Sequence, residues 1–219
     1  MPRALFEKTG NAVYISHLDL MRLFQRAFKR AGLPLTHTQG FNPRPSVSIA
    51  LPLSLGVESV CELLDFDLEG EEIPNGEILS RLNHSLVEGV RVLEVYDAGA
   101  KIKHLALLDC VVTMEYDAGI PDGAEARIRG LFDQEEILVE KKGKNGAIEQ
   151  NIRPMIRRLS VEPAGRGELA LRALICCQNP TLNPMQLSAA IANYLPDLTP
   201  DFVRFRRLEI YDTEMNVFR

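Results

Sequence analysis

Hydrophobic and polar residues follow an order in the first half of the chain that predicts six elements. Leu64, Phe66 and Leu68 alternate with charged residues, which is typical of a strand with one face in water. Leu20 and Phe24 begin an apolar stripe at helical spacing. The pattern predicts strands at residues 12–15, 46–52, 62–68 and 91–96, and helices at residues 17–31 and 75–86. The predicted order is β-α-β-β-α-β.

The second half repeats this order. Asp122 and Asn183 are the expected N-caps of its two helices. The pattern predicts strands at residues 107–116, 136–142, 168–176 and 202–211, and helices at residues 122–132 and 184–194. We therefore predict an α+β protein with two tandem ferredoxin-like (βαββαβ) units, at residues 1–99 and 105–219. A basic insertion at about 141–158 interrupts the second unit between its second and third strands, with a short helix starting near Pro154.

Composition changes this picture little. The chain has 219 residues, 46% hydrophobic and 25% charged, which is ordinary for a soluble globular protein of one or two domains. It has no apolar run of the roughly 18 residues that a membrane helix needs and no secretory signal, so we expect a cytoplasmic protein with no membrane contact. The four cysteines lie in apolar stretches without metal or cluster spacing. We expect buried thiols, no metal and no cofactor.

Charge points to one region. The chain has a net charge of −5, yet residues 17–44 contain five basic residues and one acid. Arg22, Arg26 and Arg30 recur every four residues on the first helix, with Lys29 beside them. Such a row without acidic partners is destabilising by itself, so it favours anion binding; the alternative is a solvated helix face.

A rigid loop follows the same helix. Residues 40–45 read GFNPRP, so two prolines stiffen a segment that carries Phe41, Asn42 and Arg44. An aromatic ring beside an amide and a guanidinium is typical of a nucleic-acid contact, although a well-packed turn is the alternative. We expect Arg22, Arg26 and Arg44 to converge on one groove between the helix and this loop.

The start of the helix admits two interpretations. Ser16 and Asp19 have the spacing of a capping box, which accounts for both residues structurally. The other interpretation is anion binding at the helix start, which the charge of Asp19 disfavours. His17 is a weak candidate for acid–base catalysis, and His17, His37 and Asp19 together form a conceivable metal or acid–base group.

The predicted insertion forms a second basic region. It contains Arg153, Arg157 and Arg158, and the run Lys141-Lys142-Gly143-Lys144 precedes these arginines. Whether it joins the first basic patch stays open at the level of sequence.

Residues 8–68 resemble a bacterial family described as a radical-SAM-linked domain of unknown function. The resemblance lies in the segments SHLDLMR, QRA, GFNPRP and LPLSLGVES. Members occur alone or fused behind a radical SAM protein, and this chain lacks the radical SAM cysteine motif, so it resembles the stand-alone form. The resemblance implies a radical SAM protein as partner and supplies no catalytic residues.

These observations favour an accessory protein to a radical SAM enzyme that binds RNA or another anionic substrate through a basic groove. Two alternatives stay open. One is an enzyme that acts on RNA through His17, and the other is a protein-interaction scaffold for an acidic partner. Salt-dependent binding of bare RNA separates the first two readings from the third.

Overall fold

The structure is a computed structural model that describes residues 2–143 and 146–219. These residues divide into two compact units, each with mixed α+β structure. The first comprises the described residues up to Lys103 together with Arg219, and the second is His104–Phe218. Lys144 of the predicted basic run lies outside the described residues.

The first unit forms a four-stranded antiparallel sheet in the strand order β4-β1-β3-β2. A 3₁₀ helix at Gly10–Tyr14 follows the first strand. The elements are β1 (Pro2–Lys8), α1 (His17–Arg30), β2 (Val47–Ile49), β3 (Val57–Phe66), α2 (Asn75–Ser85) and β4 (Val90–Asp97).

Both helices of the first unit pack on the same face of its sheet, as predicted. Phe24 of α1 and Leu82 of α2 belong to one buried cluster with Phe6 of β1 and Phe66 of β3. The rings of Phe6 and Phe24 meet edge to face with centroids 4.8 Å apart, and Phe28 lies 4.9 Å from Phe66. These contacts fix α1 against the sheet and leave its opposite side to solvent.

The prediction of a strand at residues 12–15 is wrong, because residues 12–14 lie in the 3₁₀ helix and Ile15 is the residue that caps its end. The first strand is β1. The hydrophobic pattern did not predict it, because the charged residues Arg3 and Lys8 occupy buried positions. Arg3 forms a two-pronged ion pair with Asp65 of β3, with its Nε and Nη2 at 2.6 and 3.1 Å from the carboxylate oxygens. Lys8 Nζ donates to the backbone oxygen of Ile15 at 2.9 Å.

The other strands of the first unit differ from prediction in their bounds. Strand β2 has three residues instead of seven, since Pro45 and Pro52 bracket the short segment in which the chain can join a sheet. Strand β3 begins before the predicted residue 62 and ends at Phe66. The alternating pattern predicted that Asp67 and Glu69 lie on the solvent-facing side of this strand, but both residues follow the end of β3.

The second unit has its main sheet in the order β10-β5-β9-β8, again antiparallel, and a separate β6–β7 hairpin. Its elements are β5 (Leu105–Glu115), α3 (Ala124–Phe132), β6 (Leu138–Gly143), β7 (Gly146–Asn151), β8 (Ile156–Gly165), β9 (Glu168–Cys176), α4 (Met185–Tyr194) and β10 (Phe202–Asp212). The expected short helix near Pro154 is a 3₁₀ turn at Arg153–Met155.

The predicted position of the insertion is wrong. The segment expected to be the second strand is β6, which pairs with β7, and the actual second strand of the sheet is β8. The hairpin therefore separates α3 from β8. The expected cap Asp122 is wrong too, since Gly123 precedes α3 in the left-handed conformation with φ +69°. Asn183 does accept from the backbone N–H of Met185, at 3.1 Å.

All four cysteines are buried and unbonded to one another, as expected. Burial raises the pKa of the Cys110 thiol to about 12. Across the two described ranges, no helix is both long enough and apolar enough to span a bilayer.

Candidate functional site

The start of α1 is closed by its own side chains. Ser16 Oγ accepts from the backbone N–H of Asp19 at 3.2 Å, and its hydroxyl donates to Asp19 Oδ2 at 2.7 Å. Asp19 therefore bonds the hydroxyl of Ser16, whereas a complete capping box would have it bond the backbone N–H. The hydrogen bond from Ser16, followed by that from Arg22 at 3.0 Å, holds the pKa of Asp19 below its usual value. A fixed carboxylate here disfavours anion binding at the helix start.

Arg22, Arg26 and Arg30 form an exposed row along α1, which we call the arginine flank. Four residues advance the helix by about 6 Å, so the three guanidinium groups can follow successive charges of a linear polyanion. Arg22 is paired with Asp19, and Arg30 donates to the backbone oxygen of Ser85. Arg26 makes no hydrogen bond or ion pair with any residue that the structure describes.

A groove of about 370 Å³ runs beside the arginine flank. Its apolar wall includes Leu23 and Val87, and Asp19 is the acid that it contains. Val87 follows α2 and was not predicted, because no local pattern signals that an exposed valine 57 residues after Arg30 will line this groove. Three arginines against one carboxylate leave this groove positively charged.

The segment that carries Phe41, which we call the arm, comprises residues 36–46. A bridge between His37 and Pro45 closes its base. The backbone N–H of Thr38 donates to the oxygen of Arg44 at 2.8 Å, and the N–H of Arg44 donates to Thr38 Oγ1 at 3.0 Å. Phe41 and Asn42 lie exposed at the tip, and Phe41 is exposed completely. The arm thus presents an aromatic ring that has no packing role in the described fold.

The structure does not bring all the predicted site residues together. Arg22 and Arg26 share the groove as expected, but its far wall is Val87 and not the arm. Arg44 lies on the arm and is not among the residues that line the groove, so the predicted convergence with Arg44 is not formed.

The histidines take separate positions. His17 is half-buried, and its Nδ1 is enclosed without a hydrogen bond among the described residues. His37 Nδ1 lies 3.8 Å from Glu69 Oε1. In residues 2–143 and 146–219 no three His, Cys, Asp or Glu side chains are grouped closely enough to hold a metal ion, so the conceivable group with Asp19 is not assembled.

The second basic region lies on and before strand β8 of the second unit. Arg157 is the extra residue of a bulge between Ile156 and Arg158, and Arg153 Nη1 donates to the oxygen of Ile156 at 3.4 Å. Arg158 pairs across the sheet with a residue of β9. These arginines were predicted to lie in an insertion between two strands, whereas Arg157 and Arg158 belong to a sheet strand.

Asp109 of β5 lies close to this region and was missed. Burial raises the pKa of its carboxyl, while Arg172 and Arg158 act in the opposite direction. Arg172 is exposed on the neighbouring strand β9. Asp109 is a single charged residue in an apolar strand, and such a residue is no signal in the sequence. Only the strand register shows that it lies near these arginines.

A family model described as an uncharacterized protein conserved in bacteria, DUF2344, matches residues 2–184. That description does not mention radical SAM enzymes. No protein with a curated description matches the chain.

Solved structures are similar to the chain at low sequence identity. The crystal structure of a Cbf5–Nop10–Gar1 complex matches with a TM-score of 0.53 and 10% identity, over 95% of this chain and 48% of that one. The crystal structure of an archaeal box H/ACA sRNP Nop10–Cbf5 complex gives 0.41 and 9%, over 94% and 46%. An unknown protein from Galdieria sulphuraria gives 0.26 and 10%, over 94% and 95%. The chain thus spans about half the length of the Cbf5-complex chains, and the first of these similarities is one of fold.

Proposed function

This chain belongs to the bacterial DUF2344 family, and we propose that it is an RNA-binding protein whose first unit holds the RNA backbone on the arginine flank. The observation that carries the proposal is the groove beside α1. Three exposed arginines at helical spacing line it, and one of them, Arg26, has neither a hydrogen bond nor an ion pair within the described chain. A protein of net charge −5 keeps this local excess of positive charge at a cost in like-charge repulsion.

Arginine suits the role because its planar fork meets two phosphate oxygens at once and stacks on bases. The spacing of about 6 Å between Arg22, Arg26 and Arg30 along the helix is comparable with that of neighbouring phosphates on a nucleic-acid strand. The arm supports a single-stranded ligand, because the exposed ring of Phe41 offers a stacking surface that a duplex would not use.

The proposal extends to the fold type and the partner. Support for two ferredoxin-like units is the β-α-β-β-α-β order of the first unit and the strand order of both sheets, in which the fourth strand lies beside the first and the third beside the second. Support for a radical SAM enzyme as partner is the resemblance of residues 8–68. Co-elution of this chain with a purified stand-alone radical SAM protein from the same bacterium would test the partner.

The RNA proposal is tested by a binding titration with a short single-stranded oligoribonucleotide at several salt concentrations. Arg22→Ala/Arg26→Ala should weaken binding by about two to four orders of magnitude, since two charge-assisted contacts at roughly 1.5–3 kcal/mol each are lost. The slope of log affinity against log salt should fall by about 1.4, the share of two single-strand phosphate contacts.

Arg81→Ala/Arg127→Ala is the matched control. Both arginines are exposed and lie outside the groove, in ion pairs with Glu77 and Asp197, and the double change removes the same charge. Equal weakening in both double variants would mean that binding follows net charge alone. Unchanged affinity in a folded Arg22→Ala/Arg26→Ala chain would refute the proposal and leave the groove as a surface for an acidic protein.

A further inference from the structure

A cavity of about 340 Å³ lies between the C-terminal half of α1 and the base of the arm, and we call it the arm cavity. It is not the groove of the arginine flank, although both border α1. Its volume falls at the small end of the range for ligand pockets, about 300–1,000 Å³. We propose that the arm cavity receives one unpaired nucleobase of the bound RNA. The inference deepens the proposed function and rests on it for the choice of ligand.

The floor of the arm cavity is apolar and fixed by the end of α1. Gly32 adopts φ +66°, and the N–H of Leu33 donates to the oxygen of Phe28 at 3.0 Å. This is the Schellman arrangement, which stacks the residue after the glycine on the last turn of the helix. Phe28 and Leu33 are fully buried, and Leu35 nearly so. The support beneath the cavity is therefore packed, and it does not need to rearrange when a flat ring enters.

The walls are held by backbone hydrogen bonds. Pro34 accepts from the N–H of Glu69 at 2.8 Å, and Pro45 closes the arm beside His37. Prolines on two sides give flat, stiff, apolar walls. The cavity is thus preformed, and binding a rigid ring there does not pay to order a loop.

The rim carries both donors and acceptors. Gln25 and Lys29 lie one helical turn apart on α1, and Glu69 faces them with His37 3.8 Å away. A simple anion is a poor occupant, because the carboxylate of Glu69 would repel it. A purely apolar chain is also a poor occupant, because it would leave the polar rim unpaired. A nucleobase edge, which mixes donors and acceptors around a flat ring, satisfies both.

The position of Lys29 links the arm cavity to the arginine flank. Lys29 follows Arg26 by three residues on α1, so the two side chains are neighbours on the helix surface. A nucleotide whose base lies in the cavity can place its phosphate near Lys29, and the adjoining phosphates then continue along the flank. Base and backbone contacts would then come from neighbouring faces of one helix.

The test is an NMR titration of the full chain with the four nucleosides, their 5′-monophosphates and ribose 5-phosphate. We expect shifts at the Gln25 side-chain amide and the Leu33 and Leu35 amides with nucleosides and nucleotides, and none there with ribose 5-phosphate. The monophosphates should bind about tenfold more tightly than the nucleosides because of Lys29.

Gln25→Ala/Glu69→Ala should abolish the nucleoside shifts, whereas Gln39→Ala/Glu71→Ala, which removes the same residue types at exposed positions outside the cavity, should not. Absence of cavity shifts up to about 10 mM of every nucleoside would overturn the inference, even if RNA still bound through the arginine flank. Nucleoside binding by a chain that fails to bind RNA would uphold the cavity and refute the proposed function instead.

Discussion

The buried ion pair between Arg3 and Asp65 should be the most sensitive polar contact in the first unit. The two residues face each other across β1 and β3, and their side chains are 2% and 16% exposed. Removing one partner of a buried pair typically costs about 3–5 kcal/mol, because the other charge stays without compensation in a poorly hydrated site.

Exposure sets the order of the two single changes. Asp65→Asn leaves the more buried Arg3 guanidinium without its carboxylate, so it should lower the free energy of unfolding by about 3–5 kcal/mol. Arg3→Met leaves Asp65, which retains some contact with water, and should cost about 1 kcal/mol less. In the double variant Arg3→Met/Asp65→Leu neither charge remains. Its loss of unfolding free energy should therefore be smaller than the sum of the two single losses by at least about 2 kcal/mol.

The assay is urea unfolding followed by circular dichroism, with hydrogen exchange of the β1 amides to locate the loss in the first unit. Asp197→Asn is the matched control, because Asp197 forms an equally two-pronged pair with Arg127 at 2.6 and 2.8 Å but on the exposed surface. It should shift the midpoint far less than Asp65→Asn. A midpoint for Asp65→Asn within error of the unchanged chain, or a double variant equal to the sum, would refute the reasoning.

Other predictions concern single groups. NMR titration should give Asp19 a pKa below its usual value that rises in Ser16→Ala; the stabilisation from this carboxylate is present above its unfolded pKa and is lost as pH falls through the lowered one. Gly89→Ala should destabilise the chain by at least about 2 kcal/mol in urea unfolding, because φ is +83° and a Cβ would lie 2.5 Å from a backbone oxygen. Gly99→Ala, in open space without a positive φ, should stay within about 0.5 kcal/mol. Cys110, with a pKa of about 12, should resist iodoacetamide at pH 8 until urea unfolds the chain.

The helices of the first unit could be predicted from sequence because their signals are local. Ser16, the apolar stripe and Gly32 define α1 within one residue of its observed end. Strand β1 could not be predicted, because Arg3 is tolerated in its buried position only through Asp65, which lies 62 residues later. The local sequence indicates the cost of burying the Arg3 charge, but it does not reveal the distant partner that offsets this cost.

The candidate site also has features that the sequence predicts and features that it does not. The charge of the arginine flank follows from residue types on one helix, so sequence identifies it. The groove wall at Val87 and the position of Arg44 away from it depend on where distant loops fold, and no local pattern encodes that. The arm cavity could not be predicted either, because Gln25 and Glu69 are ordinary polar residues in the sequence and only the fold brings them to one rim.

The strand order has a consequence for how such a chain can be built. In the first unit Pro2 pairs with Asp97, and in the second Leu105 pairs with Asp212, so each unit begins and ends at the same place on its own sheet. A segment whose two ends meet can be copied, inserted or excised as a cassette without cutting any strand, because the chain leaves the module where it entered. Gene duplication or fusion at these boundaries preserves every hydrogen-bonded ladder within the module, and new material is added outside the sheet.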